Sequence, residues 1–186
     1  MTFLAMPAPL DGVLERRAEI VAALQKIVPG EGVVSHPDGL RPFESDGLTA
    51  YRQMPMVVVL PETVQQVSEV LRYCHDMGVR VVPRGSGTSL SGGALPLEDG
   101  VLLVMSRFNR ILDIDFLNRA VVVQPGVTNL SITKAVSHAG FYYAPDPSSQ
   151  IACSIGGNIG ENSGGVHSLK YGLTTNNVLG LEVVLM

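Results

Sequence analysis

The sequence VVPRGSGTSLSGG, residues 81–93, carries the strongest structural signal in the chain, and IGGNIGENSGG, residues 155–165, repeats its composition. Glycine loses more backbone entropy on folding than any other residue, so such clusters indicate left-handed turns or a backbone that lies against a ligand. Main-chain N–H groups in glycine loops can bind an anion, and Arg84 adds a planar donor fork suited to phosphate. Four hydroxyl side chains in the first stretch add donors: Ser86, Thr88, Ser89 and Ser91. We therefore predict a diphosphate cradle built from two loops.

Two familiar phosphate-binding loops are excluded by single positions. Gly87 and Gly92 have the glycine spacing of a Walker loop, but Gly93 stands where the lysine is required. A Rossmann fingerprint that began at Gly85 would need glycine where Leu90 stands. The alternative that stays open is a glycine-rich hairpin without a ligand.

The composition is that of a globular protein with a core. The chain has 186 residues, of which 46% are hydrophobic, and a net charge of −4. Its longest apolar runs are far too short to cross a bilayer, and residues 1–12 lack the basic start of a signal peptide. No basic cluster and no Trp are present, so nucleic-acid binding has no electrostatic basis.

Cysteine and histidine usage does not indicate a metal site. Cys74 and Cys153 are the only cysteines, neither belongs to a C-x-x-C pair, and the four histidines are scattered. We predict no metal, and two buried free thiols in a reducing compartment rather than a disulfide.

The first half of the chain predicts a β-α-β unit that leads into the first loop. A helix with Asp11 as N-cap is expected to run to Val28, followed by an irregular segment. Met56–Leu60 reads as a buried strand, Pro61-Glu62-Thr63 opens a helix that Gly78 ends, and Val79–Val82 is the next strand. A parallel pair of strands is expected from this unit.

The second half predicts a smaller set of elements and a long irregular stretch. Gly100–Met105 reads as a strand, and Ile111–Asp115 with Ala120–Gln124 as a hairpin. Thr128 caps a helix that Gly140 ends. The stretch from Tyr142 to Thr175 shows almost no periodicity, which is typical of a functional loop. Val178–Leu185 is predicted as a buried strand. Because it lies at the C-terminus with no turn or cap after it, the domain is expected to be truncated there.

The ordered set of motifs resembles one family of flavoproteins. Besides the two loops, the set comprises Gln124–Thr128 (QPGVT), Pro145–Ser149 (PDPSS) and Lys170-Tyr171-Gly172. It is similar to the FAD-binding domain of the vanillyl-alcohol-oxidase/para-cresol-methylhydroxylase (PCMH) superfamily, and within it to the FAD subunit of glycolate oxidase and its D-lactate and D-2-hydroxyglutarate dehydrogenase relatives. The resemblance implies an α+β, PCMH-type fold of two α+β subdomains, incomplete at its C-terminus.

The domain boundaries and site residues follow from this resemblance. Residues 1–54 would form an N-terminal helix and irregular segment, and residues 55–186 the FAD-binding domain, with a subdomain change near 106–115 and the substrate-binding cap domain absent. The residues expected to bind FAD are Pro83, Arg84, Gly85, Ser86, Gly87, Thr88, Ser89, Gly92, Gly93, Pro145, Asp146, Ser149, Gly156, Gly157, Asn158, Ser163, Gly164, Gly165 and Val183.

The mode of flavin attachment and two side chains, His167 and Asp46, need separate interpretation. Some family members attach flavin through a His in the first loop, and since that loop contains no His or Cys here, non-covalent FAD is expected. His167 is the candidate for a catalytic role, although a lone His is more often structural. Asp46, in a Ser-Asp-x-x-x-x-Tyr stretch typical of the relatives, is interpreted as a solvated loop acid.

The implied activity is oxidation of a 2-hydroxy acid to a 2-keto acid, with hydride transfer to FAD. The chain would be the cofactor-binding part and inactive alone, because the family's substrate-binding residues lie in the cap domain. Partner subunits or an electron-transfer protein would accept the electrons. The protein is expected to be cytoplasmic, and any association with a membrane would be through its partners. The alternatives are an alditol or sugar-lactone oxidase and a non-enzymatic anion-binding module. Neither the particular 2-hydroxy acid nor the electron acceptor follows from the sequence.

Overall fold

The structure is a computed structural model that describes residues 6–186, so the first five residues of the predicted N-terminal segment lie outside it. The chain divides into two compact units. The first comprises the described residues up to Arg84, together with Ser89–Val104 and Val184–Met186. The second comprises Gly85–Thr88 and Met105–Val183.

The first unit contains a four-stranded sheet in the order β1-β2-β4-β3. Its strands are β1 (Val33–Val34), β2 (Val57–Val59), β3 (Val81–Arg84) and β4 (Val101–Val104). β1 is antiparallel to β2, whereas β2 and β3 both run parallel to β4. All four residues of β4 are buried, which suits a strand that is paired on both sides.

The predicted pairing within the β-α-β unit is wrong in one respect. β2 and β3 do not pair with each other, because β4, which comes later in the chain, lies between them. Both strands are parallel, as expected, and Pro83 lies in the outer strand, where a missing N–H group is tolerated. A β-α-β pattern does not show whether a later strand is inserted between its two strands.

Three helices belong to the first unit: α1 (Arg17–Ile27), α2 (Pro37–Leu40) and α3 (Val64–Met77). α3 begins and ends as predicted, since the Thr63 side chain accepts a hydrogen bond from Gln66 N and Gly78 adopts the left-handed conformation. α1 begins six residues after the predicted cap, Asp11. The reason is Gly12, whose φ of +74° is incompatible with a helix.

The second unit packs a β-hairpin against short helices. The hairpin joins β5 (Ile111–Asp115) to β6 (Ala120–Val123) in antiparallel register. α4 (Asn129–Val136) begins at the predicted cap, because the Thr128 side chain accepts a hydrogen bond from Ser131 N. α5 (Ile155–Glu161) and α6 (Ser168–Tyr171) follow in the stretch predicted to be irregular. The core consists of Val127, Ile132 and Ile155.

The strand predicted over Val178–Leu185 is not formed. The segment contains no helix or strand, and its alternate apolar side chains Leu179, Leu181, Val183 and Leu185 are exposed. A strand needs a neighbour for its backbone hydrogen bonds, and no described residue pairs with this segment.

The two cysteines are free and buried, as predicted. Burial raises the pKa of the Cys74 thiol to about 12. Residues 6–186 contain no helix that is long and apolar enough to span a bilayer. The same part of the chain contains no group of three or more His, Cys, Asp or Glu side chains that could hold a metal ion.

Candidate functional site

The first glycine loop, residues 85–93, follows directly from the end of β3. Gly87 and Gly92 have φ values of +68° and +80°, in the left-handed region where glycine is favoured. The loop is stabilised internally, since Ser91 N donates to Ser89 Oγ at 3.1 Å and the two hydroxyls lie 2.6 Å apart. The predicted use of glycine for a left-handed backbone is therefore confirmed at two positions.

The two predicted loops meet in the second unit. A Cβ atom at Gly85 would overlap the Oγ of Ser154 and would lie 3.4 Å from the backbone nitrogen of Gly157. Gly85 thus belongs to the first loop and lies against the start of α5, which opens the second glycine loop, residues 156–165. The two glycine-rich stretches are about 70 residues apart in the sequence, and the structure brings them into contact.

The start of the second glycine loop is fixed by a side-chain cap and by close contacts with Pro125. The Ser154 side chain caps α5 by accepting a hydrogen bond from Gly157 N at 3.4 Å. Gly156 N donates to the Pro125 carbonyl at 2.8 Å, and a Cβ at Gly156 would lie only 2.7 Å from Pro125 Cβ. α5 ends at Asn162, which has a left-handed φ of +49°. Glycine at 156 therefore allows the helix to approach the QPGVT segment closely.

Asn158 is the side chain of this loop that best fits a ligand. It is 3% exposed, and its Nδ2 amide is buried without a hydrogen-bond partner among residues 6–186. Buried donors are nearly always satisfied, so this one calls for an acceptor from outside the described chain. Phosphate, ribityl and flavin oxygens of FAD all supply such acceptors. The arrangement thus fits the predicted cofactor.

Asp146 and His167 form a polar pair beside the second loop. The Asp146 carboxylate accepts the backbone N–H of His167 at 3.2 Å, and its other oxygen lies 2.6 Å from His167 Nδ1. Burial raises the pKa of Asp146, but the hydrogen bonds and charge of His167 together outweigh it and lower the pKa below its usual value. A Cβ at Gly165 would overlap the Asp146 main chain. The two segments are thus in close contact.

The depressed pKa of Asp146 predicts an acid-sensitive contribution to stability. Because the folded-state pKa lies below the unfolded-state value of about 3.9, the contribution is complete above that pH and is lost as the pH falls through the folded-state pKa. We expect Asp146→Asn to lower the Tm at neutral pH, with a difference from wild type that shrinks below about pH 4. Thermal unfolding from pH 7 to pH 3 measures this. A Tm difference that stays constant with pH would contradict it, and His167→Ala should reduce the pH dependence in the same way.

Arg84, predicted to offer its donor fork to phosphate, makes hydrogen bonds to main-chain carbonyls in this structure. It is 8% exposed, and its Nη1 donates to the Ser45 carbonyl at 2.8 Å and to the Ala94 carbonyl at 3.2 Å. Its guanidinium carbon also lies 5.9 Å from the centre of the Phe43 ring. Phosphate binding through this Nη1 would compete with two existing hydrogen bonds.

The remaining predicted residues have varied surroundings. Pro145 is buried and its carbonyl accepts the Asn129 side-chain amide at 2.9 Å, while the Ser149 carbonyl closes a turn with Ala152 N and Cys153 N. Ser163 accepts Thr174 Oγ1 at its carbonyl. Val183 is 63% exposed. Binding of FAD by the individual residues stays a prediction.

Two residues near the loops were misjudged or missed. Asp46 is 6% exposed, so its interpretation as a solvated loop acid is wrong. Its Oδ1 accepts the Leu48 N–H at 2.9 Å, a turn that the Asp-Gly pair could have indicated, but burial depends on tertiary structure. Ser154 was not singled out. A Ser before a helical segment signals a cap, but the glycines that follow it obscured the helix.

The comparisons with known proteins identify the family and the relatives of the chain. The family model described as "FAD binding domain" matches residues 55–186. The glycolate oxidase subunit GlcD of Escherichia coli (strain K12) is 57% identical over 176 residues, which cover 94% of this chain and 35% of the relative. GlcD of Bacillus subtilis (strain 168) is 47% identical, covering 77% of this chain and 30% of the relative. Mitochondrial D-2-hydroxyglutarate dehydrogenase of Bos taurus is 36% identical, and the match covers 89% of this chain and 30% of the relative.

Solved structures show the same fold. Alkyldihydroxyacetonephosphate synthase superposes with a TM-score of 0.75 at 21% identity, covering 91% of this chain and 33% of that one. p-Cresol methylhydroxylase gives a TM-score of 0.70 at 20% identity, and the match covers 84% of this chain and 31% of that one. The predicted PCMH-type fold is confirmed. The chain spans about a third of the length of the curated relatives it matches.

Proposed function

The chain belongs to the family of FAD binding domains, and from this premise we propose that it is the FAD-binding portion of an oxidoreductase that converts a 2-hydroxy acid into a 2-keto acid. The observation that carries the proposal is the contact of the two glycine loops at Gly85, Ser154 and Gly157. Gly85 of the first loop lies against Gly157, which directly precedes Asn158, the residue with the buried unpaired amide donor. When bound, FAD would supply a two-electron acceptor for the hydride that leaves the substrate α-carbon.

The role of the chain in this reaction is to bind and orient the cofactor. The glycine-rich main chain of residues 85–93 would bind the diphosphate, and Asn158 would donate a hydrogen bond to a cofactor oxygen. Asp146 and His167 would hold the second loop in place through their paired contacts. His167 therefore acts in this proposal as a structural residue rather than as a catalytic base.

FAD is bound non-covalently in this proposal. Neither glycine loop contains a His or Cys, the side chains through which relatives attach flavin. The nearest such residues in sequence are Cys153, which is 3% exposed, and His167, whose Nδ1 is bonded to Asp146. Both are therefore poorly placed for attachment.

The substrate class and partners are inferred from the relatives. The proteins matched at 57% and 47% identity are named as subunits of a glycolate oxidase, which supports a small 2-hydroxy acid as substrate and an assembly with other subunits. Electron transfer to a partner subunit or an electron-transfer protein, and a cytoplasmic location peripheral to the membrane through partners, are predictions of the same kind.

The experiment that tests the proposal is a visible absorbance spectrum of the purified protein before and after addition of FAD. We expect a flavin spectrum, and release of the flavin into the supernatant when the protein is precipitated with acid. In a longer protein that also contains the substrate-binding domain, anaerobic addition of glycolate, D-lactate or D-2-hydroxyglutarate should then bleach the flavin band, whereas an alditol or a sugar lactone should not. The chain alone should bind FAD without this bleaching.

Three outcomes would contradict parts of the proposal separately. A protein that takes up no FAD would contradict the cofactor assignment. Flavin that stays with the acid precipitate would show covalent attachment. Bleaching by an alditol or a lactone, with no response to the 2-hydroxy acids, would place the chain with the sugar-oxidising members of the superfamily.

A further inference from the structure

A segment outside the family match forms a socket for Arg84 in the first unit. The match begins at residue 55, yet Phe43 and Ser45 lie before it and both contact the Arg84 guanidinium. The Ser45 carbonyl accepts Nη1 at 2.8 Å, and the Phe43 ring centre lies 5.9 Å from the guanidinium carbon. We use the term Arg84 socket for Phe43, Ser45, Asp46 and the carbonyl of Ala94.

The socket closes the base of the first glycine loop. Arg84 is the residue immediately before the loop, and Ala94 is the residue immediately after it. The hydrogen bond of 3.2 Å from Arg84 Nη1 to the Ala94 carbonyl therefore links the two ends of the loop. A displaced guanidinium would free both ends at once.

Asp46 supplies a buried negative charge to this socket. Its residue is 6% exposed, and Oδ2 is buried without a hydrogen-bond partner among the described residues. An unpaired buried carboxylate oxygen is unfavourable unless a nearby positive charge compensates it. Asp46 directly follows Ser45, whose carbonyl accepts the Arg84 hydrogen bond at 2.8 Å. Burial lowers the pKa of Arg84, and the negative charge of Asp46 opposes this effect.

We propose that Asp46 is a positioning residue of the cofactor site, whose buried charge fixes the Arg84 guanidinium and thereby the conformation of the first glycine loop. This inference rests on the proposed function, because it takes FAD as the ligand of the loop. Asp46 acts through Arg84 and does not contact the cofactor. The role of Arg84 is accordingly to hold the loop rather than to bind phosphate.

A double-mutant cycle on the holo-protein tests the inference. Asp46→Asn keeps the shape of the side chain and the oxygen that accepts the Leu48 N–H group, but it replaces the unpaired Oδ2 by an uncharged NH2 group. Arg84→Met removes the guanidinium and keeps an unbranched side chain. The measurements are the Kd for FAD by flavin-fluorescence titration and the Tm of the FAD-free protein, for both variants and their combination.

We expect each single change to weaken FAD binding about tenfold, and the combined change to weaken it no more than Arg84→Met does alone, because Asp46 acts through Arg84. Asp38→Asn is the matched control: its carboxylate lies in the same N-terminal segment with a side chain that is 78% exposed, and its Kd should equal the wild-type value. If Arg84→Met does not yield folded protein, Arg84→Lys takes its place in the cycle.

Two results would overturn the inference. An Asp46→Asn protein with a lower Tm but an unchanged Kd would show a role in folding alone. Single effects that multiply in the combined variant would show that Asp46 and Arg84 act independently. If the wild-type protein itself takes up no FAD, the proposed function fails as well, which is distinguishable from the first two results.

Discussion

Gly165→Ala is expected to abolish retention of FAD and to lower the Tm, since position 165 has no room for a methyl group. The added Cβ would overlap the carbonyl oxygen and carbon of Asp146, and these are main-chain atoms that cannot rotate away. Overpacking of this kind costs about 1–3 kcal/mol. To relieve it, the second loop must move away from the 145–149 segment, and the His167 contacts with Asp146 would be lost with it.

Bound flavin per chain and thermal unfolding measure the effect of Gly165→Ala. The matched control is Gly160→Ala in α5, where a Cβ would have no neighbour within 4 Å. That change should leave flavin binding intact and raise the stability slightly, because alanine is favoured over glycine in a helix by about 0.5–1 kcal/mol. If Gly165→Ala binds FAD as well as Gly160→Ala does, the close packing on Asp146 is not required for the site.

Gly87→Asp is expected to weaken FAD binding through charge repulsion. Gly87 lies in the middle of the first loop with a φ of +68°, and a carboxylate there would face the negatively charged diphosphate. Two like charges about 4 Å apart repel by about 1 kcal/mol in water and about 4 kcal/mol near a protein surface. The affinity should therefore fall by a factor between about 5 and 1,000.

Gly87→Asn separates the charge from the backbone effect. Asn has nearly the same shape as Asp and also tolerates the left-handed region, so it carries the strain without the charge. We expect Asn to retain most of the FAD affinity, and the difference between Asn and Asp to shrink at high ionic strength. FAD titrations of both variants in low and high salt provide the test. Equal affinities would mean that the loop does not surround the diphosphate.

Elements whose signals are local were predicted well from the sequence. The caps of α3 and α4, Thr63 and Thr128, and the left-handed Gly78 depend on side chains within a few residues of the helix ends. The hairpin of β5 and β6 depends on two short apolar runs and a turn between them. Each of these signals is complete within about ten residues of sequence.

Features that depend on distant partners were not predicted. The position of β4 between β2 and β3 is decided by sheet packing rather than by local order. Asp46 lies in a polar segment but is buried in the folded chain, next to Ser45, whose carbonyl binds Arg84 nearly 40 positions later. The segment at 178–185 has the composition of a strand, but composition cannot supply a neighbouring strand.

The sequence predicted which residues belong to the candidate site but not the contacts between them. The motif order predicted that both glycine loops belong to one site, whereas the contact between Asp146 and His167 was not predicted. The closeness of Gly85 to Ser154, and the unpaired amide of Asn158, required the packed chain. The same is true of the anchored guanidinium of Arg84.

The burial of the two thiols has a practical consequence for spectroscopy. Burial raises the pKa of the Cys74 thiol to about 12, so it is almost entirely protonated at pH 7, and thiolate is the form that reacts with maleimides and disulfides. Cys153 is inaccessible in the folded chain at 3% exposure. A fluorophore attached to a cysteine introduced at the surface would therefore report on that position alone, with both native cysteines left in place.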